Sequence, residues 1–378
     1  MVEIENYKKI TEIEIDGSIL TAWISPDSID SQWDSFVESA SEGRHEQLSL
    51  WSQVKSMDGW NYIRVVITDQ IRIIGGFQLL WIPKRFFGRI AYVSQGPVII
   101  DNNQSAIKFV IEQLKALVKK HKIRAVIVQP ACHSDNISVQ LLKKGFLPNI
   151  LYKKIINTTL QIDLGKDEDE LLKQMTVMNR MKRRNIRKSE AAGIEFREGC
   201  ETELDVFFNL MSETCKRQGV LPNPPDENHL KIIWRLFNSK GYLKLFFIKY
   251  KGEPVSGGLA ITVGDRFIFW KTGWSGKYNE IRPNDAIYWN LIKYANTRGY
   301  RYIDFVSIDR NTALYIKQNK ALPQEIMQTS TFFKMGFGGN IVYLPEPAVY
   351  IPSLLLSCLY HIAFLINKLR FFLKANNK

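Results

Sequence analysis

The sequence predicts an α/β protein in which one layered unit, a mixed and mainly antiparallel sheet flanked by helices, occurs twice. Three observations carry this. A pair of glycines sits inside an apolar strand in "IGGFQLLW" (74–81) and again in "VSGGLAITV" (255–263). The same order of strand, glycine strand, strand, helix and strand runs around each pair. A short Lys/Gly/Phe segment closes each copy, "LLKKGF" at 141–146 and "FFKMGF" at 332–337. Short apolar runs bounded by turn residues read as strands and 3.6-residue stripes as helices, so a shared order of both is the trace of a duplicated layer architecture.

Each element has its own justification. In the first copy "YIRVVIT" (62–68) precedes the glycine strand and "RIAYVSQGPV" (89–98) follows it. The segment 105–122 places Ile107, Val110, Ile111, Leu114, Leu117 and Val118 on one helical stripe. "AVIVQP" (125–130) is then a buried strand. In the second copy "YLKLFFIKY" (242–250), "RFIFWKTGW" (266–274), a helix over 285–299 and "YIDFVSI" (302–308) repeat the series. The junction falls near 156–166, where "NTTLQIDLG" reads as a strand. "DEDELLKQM" then opens a helix with acids in its first turn, which the helix dipole favours. The proline-rich 221–228 is a rigid loop before a further helix.

The reading divides the chain into residues 1–157, 158–345 and an apolar tail at 346–378. The tail is about long enough to span a bilayer, but Pro352, Ser353, Ser357, His361 and Asn367 interrupt it, and Lys368, Arg370 and Lys374 follow. It is expected to form a helix that packs on the body or lies on a membrane surface.

Composition narrows the function classes. With 45% hydrophobic and 24% charged residues over 378 positions, the chain can bury an ordinary globular core. A net charge of +13 favours polyanionic partners: nucleic acid, anionic lipid or a phosphorylated substrate. The polar start "MVEIENYKKITEIEIDG" lacks the apolar core of a signal peptide, so a cytoplasmic location is expected, with peripheral contact at the inner membrane face through the tail. The four cysteines show no C-x-x-C spacing and the five histidines no H-x-x-x-H pair, which argues against a disulfide framework or a zinc site.

The densest charge is "MNRMKRRNIRK" at 178–188, with six cations in about three helical turns. In a helix over 175–192, Arg180, Arg184, Arg187 and Lys188 fall on one side, while Met175, Met178 and Ile186 face inward. Like charges so spaced repel, and a neighbouring polyanion relieves them. A tRNA backbone is the preferred partner, anionic lipid the second, and a solvated basic face the plain alternative.

Layers in this order resemble the GNAT acyltransferase fold, and two such halves with an Arg/Lys-rich helix resemble the Fem family, the aminoacyl-tRNA-dependent transferases that build peptidoglycan interpeptide bridges. The landmarks are "LWSQVKSMDGW", "GPVIID", "MNRMKRRNIRKSEAAG", "ETCKRQGV", "RGYRYIDF" and "FFKMGFGG", in that order over nearly the whole chain. The resemblance implies a tandem GNAT-like fold in which central strands splay to admit an acyl donor. It implies aminolysis of an aminoacyl ester, with aminoacyl-tRNA as co-substrate, a UDP- or lipid-linked muropeptide as acceptor, and no metal or redox cofactor.

It also implies roles for residues. Lys334 would stabilise the oxyanion, with Phe333 beside it as a wall of the site or as core. Asp101 would accept the amine's proton, or else cap the helix near 105. Lys55 and Arg217 would clamp a pyrophosphate, or else be ordinary surface cations; Arg217 precedes Gly219 at a helix end. Trp270 is a further substrate-binding candidate. The chain departs from the family pattern at "IDFVSI", where a glycine pair tends to follow Asp-Phe. It departs again in a "GPVIID" one residue longer than usual and in the absence of tryptophan two places after Lys55. Between Met211 and Leu236 there is no room for a long helical arm.

Two alternatives remain at this point. One is a GNAT-type N-acyltransferase that uses acyl-CoA, such as acetyl-CoA, in polysaccharide or cell-envelope biosynthesis, although "YNEIRPNDAI" (278–287) and "PVIIDNNQSAI" (97–107) are not glycine-rich. The other is a non-enzymatic tRNA- or membrane-binding module.

Overall fold

Two sheets organise the chain, each in its own compact unit, Met1–Ile155 with Leu344–Lys378 and Ile156–Tyr343. The computed structural model describes residues 6–15, 17–70, 72–150, 155–175, 180–318 and 322–376.

The first unit opens with a hairpin of β1 (Lys8–Ile15) and β2 (Ser18–Ser25), then α1 (Ser31–Ser39) and α2 (Ser49–Met57). β3 (Asn61–Thr68), β4 (Ile73–Lys84) and β5 (Gly88–Ser94) follow, then the two-residue β6 (Val98–Ile99), α3 (Gln104–Lys120), β7 (Ile123–Gln129), α4 (Asp135–Lys143) and β8 (Leu147–Pro148). The order β1-β2-β3-β4-β5-β7 is antiparallel up to the parallel β5–β7 pair. The predicted stripe of α3 is buried throughout and packs with Val65, Phe77, Leu79 and Val126 of the sheet.

The glycine pair has a packing reason. A Cβ on Gly76 would stand 2.7 Å from the Trp33 ring and 2.2 Å from the Val65 carbonyl. The strand expected over 89–98 is two strands. Gln95 takes a left-handed φ of 50°, and β6 turns back to pair with β4.

The second unit begins with β9 (Thr158–Asp163) and α5 (Glu168–Gln174), capped by Asp167. Next come α6 (Arg180–Ala191), β10 (Glu195–Glu198), α7 (Leu204–Gln218) and α8 (Glu227–Asn238). β11 (Leu243–Tyr250), β12 (Glu253–Val263) and β13 (Arg266–Trp274) form a meander, followed by α9 (Pro283–Thr297), β14 (Tyr302–Asp304), α10 (Arg310–Lys317), α11 (Ser330–Met335) and β15 (Asn340–Tyr343). The sheet order is β10-β11-β12-β13-β14-β9-β15, and β13–β14 is its parallel pair. Trp289, Leu291 and Ile292 of α9 pack with Phe246, Phe267 and Ile303 of the sheet.

The tail corrects an expectation. It does not begin as a helix: β16 (Ala348–Tyr350) pairs antiparallel with both β7 and β8, and only then does α12 (Leu354–Asn376) start. Ala348–Tyr350 is short and β-branched at its centre, and the edge of β7 offers it hydrogen bonds that a helix start would forgo. Among the described residues no helix is long and apolar enough to cross a membrane.

Candidate functional site

The parallel pair of the second unit parts early. β13 and β14 are in register only at Arg266–Tyr302, Phe267–Ile303 and Ile268–Asp304, whereas β13 continues to Trp274. In the first unit the corresponding pair stays together from Arg89 to Ser94. Asp304 accounts for the parting. Its buried carboxylate accepts hydrogen bonds from the Thr159 hydroxyl, from Gln161 Nε2 at 3.0 Å and from the Val306 amide at 2.7 Å. This bend forces Val306 to φ 56°, a conformation that β-branched residues rarely adopt. The "IDFVSI" departure is thus a valine held where the backbone suits glycine.

An aromatic cluster lies where the strands part. Tyr288 of α9 packs against Phe305 at 4.8 Å, Phe333 at 5.1 Å and Phe337 at 5.3 Å between ring centroids. Lys182 of α6 covers it, with Nζ 3.3 Å from the Phe333 centroid and 4.4 Å from that of Phe337. The same ammonium donates to Asp285 Oδ1 at 2.7 Å, both side chains being almost wholly buried. Burial lowers the Lys182 pKa to about 8, against the opposing pull of Asp285. Gly336 makes room for this lysine, because a Cβ there would lie 2.6 Å from Lys182 Cε.

A cavity of about 540 Å³ opens beside the pair, at the first turn of α9. Lys182, Asn185, Arg282, Asp285, Thr329 and Phe333 are among its lining residues. A helix start with cations around it suits an anionic ligand. Next to Phe333, the half-buried Lys334 donates to the carbonyls of Ser307 at 3.0 Å and Val306 at 3.4 Å. Burial brings its pKa down to about 8, with Asp304 pulling the other way. At neutral pH it remains mostly protonated.

The other predicted residues are distributed as follows. Arg217 lies in the last turn of α7, stacks 4.7 Å from the Trp274 ring and donates to the Trp274 carbonyl, with Gly219 as the left-handed helix end. Trp270 sits half-buried at a β-bulge of β13, where the register with β12 slips between Leu259 and Ala260. Lys55 and Asp101 belong to the first unit. Lys55 ion-pairs with Asp58 at 3.1 Å and lies over Trp51. Asp101 is exposed at φ 54°, 3.8 Å from Arg72. It does not cap α3: Asn103 does, accepting the Ala106 amide at 2.9 Å.

The helix expected over 175–192 is narrower, α6 spanning Arg180–Ala191 while Met175 ends α5; Arg184, Arg187 and Lys188 of α6 are exposed, and Met175 and Ile186 are buried. Met178 and the side chain of Arg180 lie outside the described residues. Among the described residues no group of three or more His, Cys, Asp or Glu could hold a metal ion.

With this geometry the comparisons fall into place. The FemAB family pattern matches residues 29–142, and that of an acetyltransferase (GNAT) domain matches 178–311. Lipid II:glycine glycyltransferase of Staphylococcus epidermidis is 30% identical over 237 residues, 59% of this chain and 55% of that protein. Over residues 29–142 the chain is similar to the FemAB family. The Staphylococcus aureus (strain MRSA252) enzyme of the same name is 29% identical over 57% of this chain and 52% of its own length. The chain therefore spans about half the length of the curated relatives it matches. The crystal structure of FemX has the same fold, with a TM-score of 0.74 at 18% identity, covering 90% of this chain and 97% of that one.

Sequence reading alone missed Lys182, Asp285 and Asp304. A signal for Lys182 existed, since it falls four residues before Ile186 and seven before Ser189, on the buried stripe of α6. Asp304 and Asp285 carried no such signal, because their partners come from distant segments.

Proposed function

We propose that this chain is an aminoacyltransferase that moves an amino acid from aminoacyl-tRNA to the peptide amine of a lipid-linked peptidoglycan precursor. The observation that carries the reading is Lys334, an ammonium held on two backbone carbonyls and adjacent in the chain to Phe333, which lines the cavity together with Lys182 and Arg282. The acceptor class follows from the relatives, which are glycyltransferases of lipid II, so glycine is the first donor to test.

The chemistry is aminolysis. The neutral amine attacks the ester carbonyl, a C–N bond forms, and the carbonyl oxygen becomes an oxyanion. Lys334 neutralises that charge, a contribution on the scale of about 3–4 kcal/mol for a single donor. Collapse breaks the C–O bond, and the nucleotide hydroxyl departs with the proton the amine gives up. Asp101 is the proposed relay for that proton and Lys55 and Arg217 the proposed pyrophosphate contacts, as the family resemblance implies. Phe333 and Trp270 would bound the acyl group. Arg180, Arg184, Arg187 and Lys188 would hold the tRNA backbone through phosphate contacts, which position without reading sequence.

Mass spectrometry of muropeptides from cells lacking this protein tests the reading. Bridges short of one or more amino acids, on an intact stem, are expected. Unchanged bridges with a lost acetyl group elsewhere in the envelope would support the acyl-CoA alternative instead.

A further inference from the structure

The first unit exposes apolar side chains that its own core does not use. The β4–β5 turn reads Lys84-Arg85-Phe86-Phe87-Gly88-Arg89, with Phe86 80% and Phe87 69% exposed. The turn is formed rather than loose: the Phe87 amide donates to the Lys84 carbonyl at 3.0 Å and Gly88 supplies φ 71°. Two aromatic rings at the tip of a rigid hairpin, flanked by three cations, suit a boundary between water and an apolar phase.

The second feature is α12. Tyr360 pins it to the body, accepting the Ile150 amide at 2.7 Å and donating to the Pro148 carbonyl at 2.8 Å. Ser357, Tyr360 and Phe364 face inward at i, i+3 and i+7. The opposite row is Leu355, Leu359, Ile362 and Ile366, between 48% and 71% exposed. A helix that packs on a body and meets water turns a polar face outward; this one turns leucine and isoleucine. After Glu346 the sequence contains no acid, and it carries Lys368, Arg370, Lys374 and Lys378.

The two features meet at Arg124. Its Nε would lie 3.0 Å from a Cβ on Gly88, so it runs along the hairpin turn. With Lys122 it also lines a recess of about 380 Å³ shared with Pro352, Ser353 and Leu356, at the start of α12. From Leu114 to Ser134 there is no acidic residue, and none from Ile73 to Ile100. The phenylalanine tip, a cationic corner and the exposed helix row therefore follow one another on one unit.

We propose that this surface lies on an anionic bilayer, with Phe86, Phe87 and the outward row of α12 at the headgroup boundary and Lys84, Arg85, Lys122 and Arg124 against lipid phosphates. The occupant is a bilayer because the apolar row is bordered by cations without acids, the charge complement of anionic lipid. A helix that pins one face and exposes the other lies along such a surface rather than crossing it. The inference does not depend on the transfer reaction, since lipid binding is read without substrates.

Flotation of the full chain with phosphatidylcholine vesicles, with and without phosphatidylglycerol, tests it. The wild type is expected to float with the anionic vesicles and to release as salt rises. Phe86→Ser/Phe87→Ser is expected to weaken binding about tenfold or more, with an unchanged melting temperature, because these rings are mostly in water. Leu355→Ser/Leu359→Ser is expected to weaken it similarly. Wild type that stays with the pellet, or serine variants that float as well as wild type, would overturn the proposal. So would a variant that turns a dimer into a monomer by sedimentation while lipid binding is unchanged, which would assign the surface to a second copy.

Discussion

Replacing Lys334 by arginine should remove an alkaline limb from the pH–rate profile. The Lys334 ammonium is half-buried, and that burial brings its pKa from 10.5 to about 8. If the protonated form stabilises the oxyanion, about nine-tenths of the enzyme is competent at one unit below that pKa and about one-tenth at one unit above. The single-turnover rate should therefore fall roughly tenfold per pH unit above 8. A guanidinium does not deprotonate in this range, so Lys334→Arg should be slower in absolute rate but flat where the wild type declines. Lys334→Ala should lose about 10²-fold or more at pH 7, the usual cost of one oxyanion donor. Lys182 has a similarly lowered pKa, so its own variant, Lys182→Met, is the control for which group makes the limb. The assay is transfer from charged tRNA to a lipid-linked muropeptide, corrected for spontaneous ester hydrolysis at each pH. An unchanged limb in Lys334→Arg, or an undiminished rate in Lys334→Ala, would remove Lys334 from the mechanism.

Further outcomes follow from the second unit. Replacing Arg180, Arg184, Arg187 and Lys188 by Gln should flatten the salt dependence of tRNA binding by up to roughly 3–4 units of log–log slope without lowering the melting temperature; parallel slopes would return α6 to a solvated role. Val306→Gly should raise stability by roughly 1 kcal/mol, since relieved left-handed strain of about 1–3 kcal/mol exceeds the entropy cost of glycine; a lower denaturant midpoint would contradict the strain. Lys182→Met should cost about 3–5 kcal/mol by leaving Asp285 buried without its partner, and Lys182→Met/Asp285→Leu should recover much of that; a single variant as stable as wild type would refute the pairing. The same lysine ties stability to pH. Its folded pKa of about 8 lies below the unfolded 10.5, so the unfolded state binds more protons between those values and stability should rise with pH through that window; Lys334 contributes a like rise, so Lys182→Met should lessen the slope and Lys182→Met/Lys334→Met should abolish it.

The duplicated layer was legible because local signals agreed with the fold. β13 matches its predicted span from Arg266 to Trp274, and every apolar residue predicted for the α3 stripe is buried. What the sequence did not disclose depends on partners far along the chain. β14 is shorter than "YIDFVSI" suggests because Asp304 is engaged by Thr159 and Gln161 of β9, more than a hundred residues away. β16 hides in an apolar tail because its pairing edge belongs to β7 and β8. Lys182 reads as one more cation of a basic run until Asp285 and two phenylalanine rings are placed around it. Of the candidate site, Lys334 and Phe333 were named through the family resemblance and the basic helix through its charge density, whereas the buried groups that hold α11 and the bend after β14 had no such signal.

The proposed donor is an ester-linked amino acid on tRNA. Incubating the purified chain with radiolabelled aminoacyl-tRNA and a lipid-linked muropeptide tests it most directly. Label is expected to move to the muropeptide amine, to be lost after ribonuclease treatment of the donor, and to be indifferent to added acetyl-CoA. Label that stays on tRNA while acetyl-CoA donates its acyl group to the same mixture would contradict the claim.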